Sequence, residues 1–277
     1  MIARTTAVIE PGGVLGELAC APPLTLRQVH SDVRDRCELR LVGTAAGPLA
    51  GDDLSVRLQL RPGARATLRA TGASVAQGRA QPDQHGQDQH GRDQHGQDQH
   101  GRDQHGRDQH GRGDGAVLPV PATLAIRAEL DAGADLVADP GALIVCRGSR
   151  IDVRVELALA DGAAVEWREL IVLGRTGEPP GAVTLRWDVT RLGRPVLRQC
   201  VDLAGPALIR RAGLTARRRV LACALIADPM SRPLTAVASA TAAAQRIDDH
   251  TLLVTVLDDD AASAAGQLDE LCTRARG

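Results

Sequence analysis

The strongest constraint in this chain is a two-residue hydrophobic period. Leu54, Val56, Leu58 and Leu60 alternate with Ser55, Arg57 and Gln59, while Leu124, Ile126 and Leu130 stand opposite Thr123, Arg127 and Glu129. The same rhythm returns in Ile151, Val153, Val155 and Leu157, and again in Val183, Leu185, Trp187 and Val189. Successive side chains of a strand point to opposite faces, so each run predicts a strand with one face buried and one in water. One-sided burial is the habit of antiparallel sheets. Three segments end alike, in Arg61-Pro62-Gly63-Ala64, Asp131-Ala132-Gly133-Ala134 and Ala160-Asp161-Gly162-Ala163, and a new apolar run follows each. A glycine suited to positive φ between two strands reads as a tight turn, which predicts three related hairpins. The repeated unit of strand, Gly-Ala turn and strand implies a mainly β fold of coiled or layered antiparallel sheets with few helices. Further turns are expected at Gly177–Gly181 and Leu192–Pro195. One helix is expected, over 260–275, where Asp258-Asp259-Asp260 precedes an Ala-rich stretch carrying Leu268 and Leu271 and closing on Arg274 and Arg276. Acids at its start and bases at its end suit the helix dipole.

Residues 83–112 break this pattern with six consecutive copies of Asp-Gln-His-Gly-Gln/Arg, which set His85, His90, His95, His100, His105 and His110 in register. The segment holds no apolar residue, so nothing offsets the entropy of ordering it. It is expected to be a disordered insertion in a single β domain spanning 1–277. Imidazole is largely neutral at cytosolic pH and ligates nickel, zinc or copper. Five extended residues cover about 16 to 18 Å, so neighbouring histidines share an ion only where the intervening glycines let the chain loop back. Weak metal binding of variable stoichiometry follows, with neutral expansion of a DNA repeat as the alternative origin.

The remaining composition mainly excludes. Lys, Asn, Phe and Tyr are absent and all 33 cations are Arg, as codon bias in a GC-rich genome would produce. With Trp167 and Trp187 as the only aromatics there is no row of rings on which bases could stack, and 33 cations against 34 acids make nucleic acid a poor partner. No apolar run approaches the length of about 18 residues that a membrane helix needs, and the first residues lack a basic-then-apolar leader. A soluble, cytoplasmic protein is expected. The six cysteines lie far apart without a CxxC pair and are read as small buried hydrophobes.

The sequence has no GxxxxGK[ST], GxSxG or HExxH motif, and no GxGxxG after a strand, which argues against an enzyme and against a tightly bound cofactor. His30 and His250, the two histidines outside the repeat, have no neighbour at metal-ligand spacing. Acids do gather mid-chain: Glu166 and Glu169 flank Trp167, and Glu178 closes Leu173-Gly174-Arg175-Thr176-Gly177-Glu178. Alternation sets Glu166 and Arg168 opposite Trp167, so at least one carboxylate is expected in water. The acids are read either as an Arg175–Glu178 turn pair with exposed charges or as oxygen ligands facing an internal channel or a partner. A carboxylate pair for hydrolysis, Glu166 with Glu169, would need a bulge to converge.

Taken in order, several segments resemble the urease accessory protein family UreD, also called UreH. They are Gly51-Asp52-Asp53-Leu54, Pro62-Gly63-Ala64, Asp139-Pro140, Gly148-Ser149-Arg150, Asp161-Gly162-Ala163 with Glu166-Trp167, and Leu173-Gly174-Arg175 to Gly177-Glu178. The resemblance covers about residues 35–205 and extends to the closing strand Thr251 to Leu257 and helix. Ala70-Thr71-Gly72-Ala73-Ser74, which runs into the repeat, departs from the family's Thr-rich strand with Lys and aromatics. The resemblance implies a helically coiled β protein that acts as a scaffold in nickel insertion. Its implied partners are apo-urease, a helical accessory protein of the UreF type and a GTPase of the UreG type, the last supplying the hydrolysis. It also implies a water-filled tunnel as the nickel path, which makes Asp52, Glu166, Glu169 and Glu178 candidates by position. The competing reading is a His-rich nickel or zinc storage protein.

Overall fold

The computed structural model describes residues 1–78, 120–204, 215–228 and 236–276. The expected disordered loop at 83–112, with its six histidines, lies outside these residues. Among those described, two sheets face each other across a core. The smaller sheet contains β1 (Ile2–Glu10), β2 (Val14–Ala19), β5 (Asp53–Leu60), β8 (Ala122–Leu130), β11 (Arg150–Leu159), β13 (Ala182–Arg191) and β14 (Arg194–Ala204), in the order β14-β13-β11-β8-β5-β1-β2. The larger contains β3 (Leu24–Val29), β4 (Cys37–Gly43), β6 (Arg65–Ala70), β9 (Asp135–Asp139), β12 (Ala164–Leu173), β15 (Val220–Ala227), β16 (Val237–Ala238), β17 (Ala242–Asp248) and β18 (Thr251–Asp258). Its order is β16-β17-β18-β15-β12-β9-β6-β4-β3, with β7 (Ser74–Ala76) and β10 (Ala142–Val145) joining beside β12. Among the described residues the fold is mainly β, with mixed sheets and a C-terminal α-helix, α1 (Ala261–Arg276), close to the expected 260–275.

The three Gly-Ala turns are present, but they are corners rather than hairpins. Each carries the chain from the smaller sheet to the larger: β5 to β6, β8 to β9, β11 to β12. The strands they join therefore stack on equivalent strands of the next coil, and β1, β5, β8, β11 and β13 pair in parallel where antiparallel pairing was expected. Alternation reports that one face is buried and is silent on strand direction, which explains the difference. Gly63, Gly133 and Gly162 take φ of 70, 66 and 67°, the left-handed conformation that turns the corner. The corners hydrogen-bond to one another, Gly63 N–H to Ala132 O and Gly133 N–H to Asp161 O at 2.9 Å each. At Leu192-Gly193 the chain does form a hairpin, joining β13 to β14 with φ of 50 and 73°.

Between the sheets, Leu54, Val56, Leu58 and Leu60 face Leu68, Leu136, Val165 and Trp167, all within 2% of full burial. Each large side chain contributes about 1.5 to 3 kcal/mol by leaving water. A second cluster lies on the other face of the larger sheet, where Ala264, Leu268, Leu271 and Cys272 of α1 cover Val220, Ala222, Ile226, Val254 and Val256. With both faces covered, β15 is buried at every position and shows no alternation. No helix among the described residues is long and apolar enough to cross a membrane.

Candidate functional site

Strand β12 alternates Val165, Trp167, Ile171 and Leu173 toward the inter-sheet core, and Glu169 shares their parity. A carboxylate thus stands where the pattern calls for an apolar side chain, 5% exposed. Trp167 Nε1–H donates to Glu169 Oε1 at 2.9 Å. Burial pushes the Glu169 carboxyl up to about 7, Asp139 adds to the rise by repulsion, and the Trp167 bond opposes both. Cys223 lies opposite Glu169 on β15; burial raises its thiol to about 12, with the Glu169 charge adding to the rise and a Thr255 hydrogen bond opposing it. Glu169 also lines a small cavity of about 10 Å³ with Ser74, Gly141 and Leu143, close to the space one water molecule needs. Ser74 in turn lines a larger pocket of about 260 Å³, with Leu24, Leu41, Leu54 and the segment Ala45–Pro48 around it. Ser74 is thus a wall shared by the pocket at β6–β7 and the small cavity at the buried carboxylate.

The other candidate acids are not brought to this point. Asp52 is 6% exposed, takes the Met1 amino group at 2.7 Å on one oxygen and the Leu49 N–H at 3.0 Å on the other, and so fixes the start of β5 near the pocket rim. Glu166 is on the opposite face of β12 from Glu169. It was expected in water, yet it is 5% exposed because α1 lies over it. It pairs with Arg168 at 2.7 Å, and Arg168 also reaches Asp269 of α1. Opposite faces prevent Glu166 and Glu169 from acting as a hydrolytic pair. Glu178 accepts the N–H groups of Arg175 at 3.0 Å and Arg147 at 3.3 Å, bonds that hold its carboxyl below the ordinary range, the Arg175 bond most strongly. It locks the turn at 174–181, where Arg175 O and Glu178 O, together with Leu173 O just before it, all accept from Arg219.

Sequence reasoning had the means to single out Glu169, because its parity with Trp167 already set it apart from Glu166. It had no means to bring in Cys223 or Asp139. Cys223 sits in a strand without alternation, and Asp139 ends β9 one residue beyond its last pairing with β12. Of the cysteines, Cys20 and Cys200 prove exposed, against the expectation of burial; the other four are buried. Among the described residues no group of three or more His, Cys, Asp or Glu side chains converges as for a metal ion. The arrangement can hold and release a proton at Glu169 near neutral pH. It can also offer a single buried carboxylate to a cation.

The family model for the UreD urease accessory protein matches residues 7–277. The chain is 30% identical to Urease accessory protein UreD 3 of Streptomyces griseus subsp. griseus, with 98% of this chain and 96% of the relative covered. It is 33% identical to Urease accessory protein UreD 1 of Saccharopolyspora erythraea, covering 79% and 72%, and 30% identical to Urease accessory protein UreD of Parafrankia sp., covering 95% and 84%. Coiled sheets, a terminal helix and a match of this extent agree: the chain belongs to the UreD family of urease accessory proteins.

Proposed function

We propose that the chain is a cytoplasmic scaffold in urease maturation that binds apo-urease and recruits a helical accessory protein and a GTPase, so that nickel reaches the urease active site. The observation that carries this reading is the family match across residues 7–277. The absence of a phosphate-cradling Gly-rich loop and of any Lys in the sequence supports leaving nucleotide hydrolysis to a partner. Nickel is cargo in this reading, and no cofactor is held tightly.

Among the four carboxylates, Glu169 is the one we assign to the nickel path. It lines a small internal cavity, whereas Asp52, Glu166 and Glu178 are committed to a strand start, an ion pair and a turn. The histidines at 85, 90, 95, 100, 105 and 110 would bind nickel weakly and supply it when it is scarce. A stand-alone storage role gives these histidines the same chemistry and gives the rest of the chain no partner. A pull-down separates the two readings: the tagged full chain is expected to retain apo-urease, and retention of neither apo-urease nor the two accessory proteins would refute the scaffold.

A further inference from the structure

The outer faces of the two sheets differ in how their arginines are arranged. On the smaller sheet, Arg4 holds Asp53 at 2.5 Å, Arg57 holds Glu129 at 2.7 Å, Arg154 and Arg198 reach Asp152 and Asp188 at 3.5 and 3.6 Å, and Arg127 holds Glu156. Arg150 and Arg186 are exposed there with no ion-pair partner among the described residues. On the larger sheet, the register of β3, β4 and β6 sets Arg27, Arg40 and Arg69 side by side in one row. Leu26, Leu39 and Leu68 of the same strands point into the core, so this row points outward. Arg40 is met by Glu38 at 2.6 Å on its own strand. Arg27 and Arg69 are exposed and have no ion-pair partner among the described residues. Asp139, in register with Arg69, accepts instead from the Gly141 N–H at 3.0 Å. Like charges on adjacent strands cost stability unless something answers them.

The same sheet shows what can answer them. Its other half is covered by α1, and the acid that α1 presents, Asp269, pairs with Arg168 of β12. Half-exposed Val42 and Val137 and exposed Val29 flank the arginine row and offer apolar contact on either side. Strands lie about 4.8 Å apart, so the row places charges at about 0, 5 and 10 Å. A helix rises about 1.5 Å per residue, so acids at i, i+3 and i+7 share a face at about 0, 4.5 and 10.5 Å. An extended strand spaces same-face residues by nearly 7 Å and fits less well.

We infer that the outer face of β3, β4 and β6 docks an acidic α-helix of a protein partner, laid across the strands with its carboxylates on Arg27, Arg40 and Arg69. The inference rests on surface chemistry and goes beyond the scaffold reading, which names no surface.

The test measures binding of the full chain to a synthetic helical peptide with Glu at i, i+3 and i+7, by fluorescence anisotropy at low salt. The comparison peptide has the same composition with Glu at i, i+2 and i+5, scattered around the helix. The matched peptide is expected to bind at least tenfold more tightly. Arg27→Glu with Arg69→Glu should abolish the preference, and a Lys-for-Glu version of the matched peptide should then bind the variant instead. Arg27→Gln with Arg69→Gln serves if reversal disturbs folding, as circular dichroism will report. Equal binding of both peptides, or an equal loss from Arg154→Glu with Arg186→Glu on the smaller sheet, would overturn the inference. So would tighter binding of a short DNA duplex at the same arginines, which would make this a nucleic-acid surface.

Discussion

Glu169 is the residue whose chemistry departs furthest from its surroundings. Its folded-state value of about 7 lies above the ordinary 4.5, so between those values the folded carboxyl stays protonated while the unfolded chain ionises. The sign follows. Stability is full below about pH 4.5, falls as pH rises, and the loss is complete above about pH 7, on the order of 3 kcal/mol in all. Glu169→Gln keeps an acceptor for Trp167 Nε1–H and removes the charge. Urea denaturation is expected to show the variant more stable than the parent at pH 8, by about 1 to 3 kcal/mol, and nearly equal to it at pH 5. A parent whose stability does not change between those values would mean that Glu169 ionises freely in the fold.

At the scale of elements, the corners bear the architecture. Gly133 at φ 66° has open space where a Cβ would stand, so Gly133→Ala meets only the left-handed backbone cost of about 1 to 2 kcal/mol. Gly141 at φ 83° would bring its Cβ to 2.7 Å from Ala70 Cβ and 3.1 Å from Gly72 O, so Gly141→Ala adds overpacking of about 1 to 3 kcal/mol. Chemical denaturation should therefore rank Gly141→Ala as the more damaging, and the reverse order would contradict the close packing of Gly141 against Ala70 and Gly72. These elements also mark what a single sequence reveals. The strands β5, β8, β11 and β13, the three Gly-Ala turns and α1 follow from local rules of period, positive φ and dipole. Whether Gly63 folds a strand back on itself or carries it across to a second sheet depends on what stacks against the corner, here Ala132 O, which no local rule contains. For the same reason Glu166 was expected in water: the helix that buries it begins almost a hundred residues later in the chain.

At the scale of the whole molecule, a coiled two-sheet protein of the UreD family serves the maturation of urease, and the histidine repeat is proposed as an accessory to it. Residues 83–112 contain no apolar side chain, so their removal takes none from the core, and melting should stay within about a few degrees of the parent. The most direct measurement is the nickel content of urease purified from cells whose own UreD-family protein is deleted, supplied with the full chain, with the 83–112 deletion variant, or with neither, across a nickel titration. The full chain is expected to restore nickel to the urease at every concentration, the deletion variant to match it when nickel is ample and fall behind when it is scarce. Urease that gains no nickel from the full chain at any concentration would contradict the account.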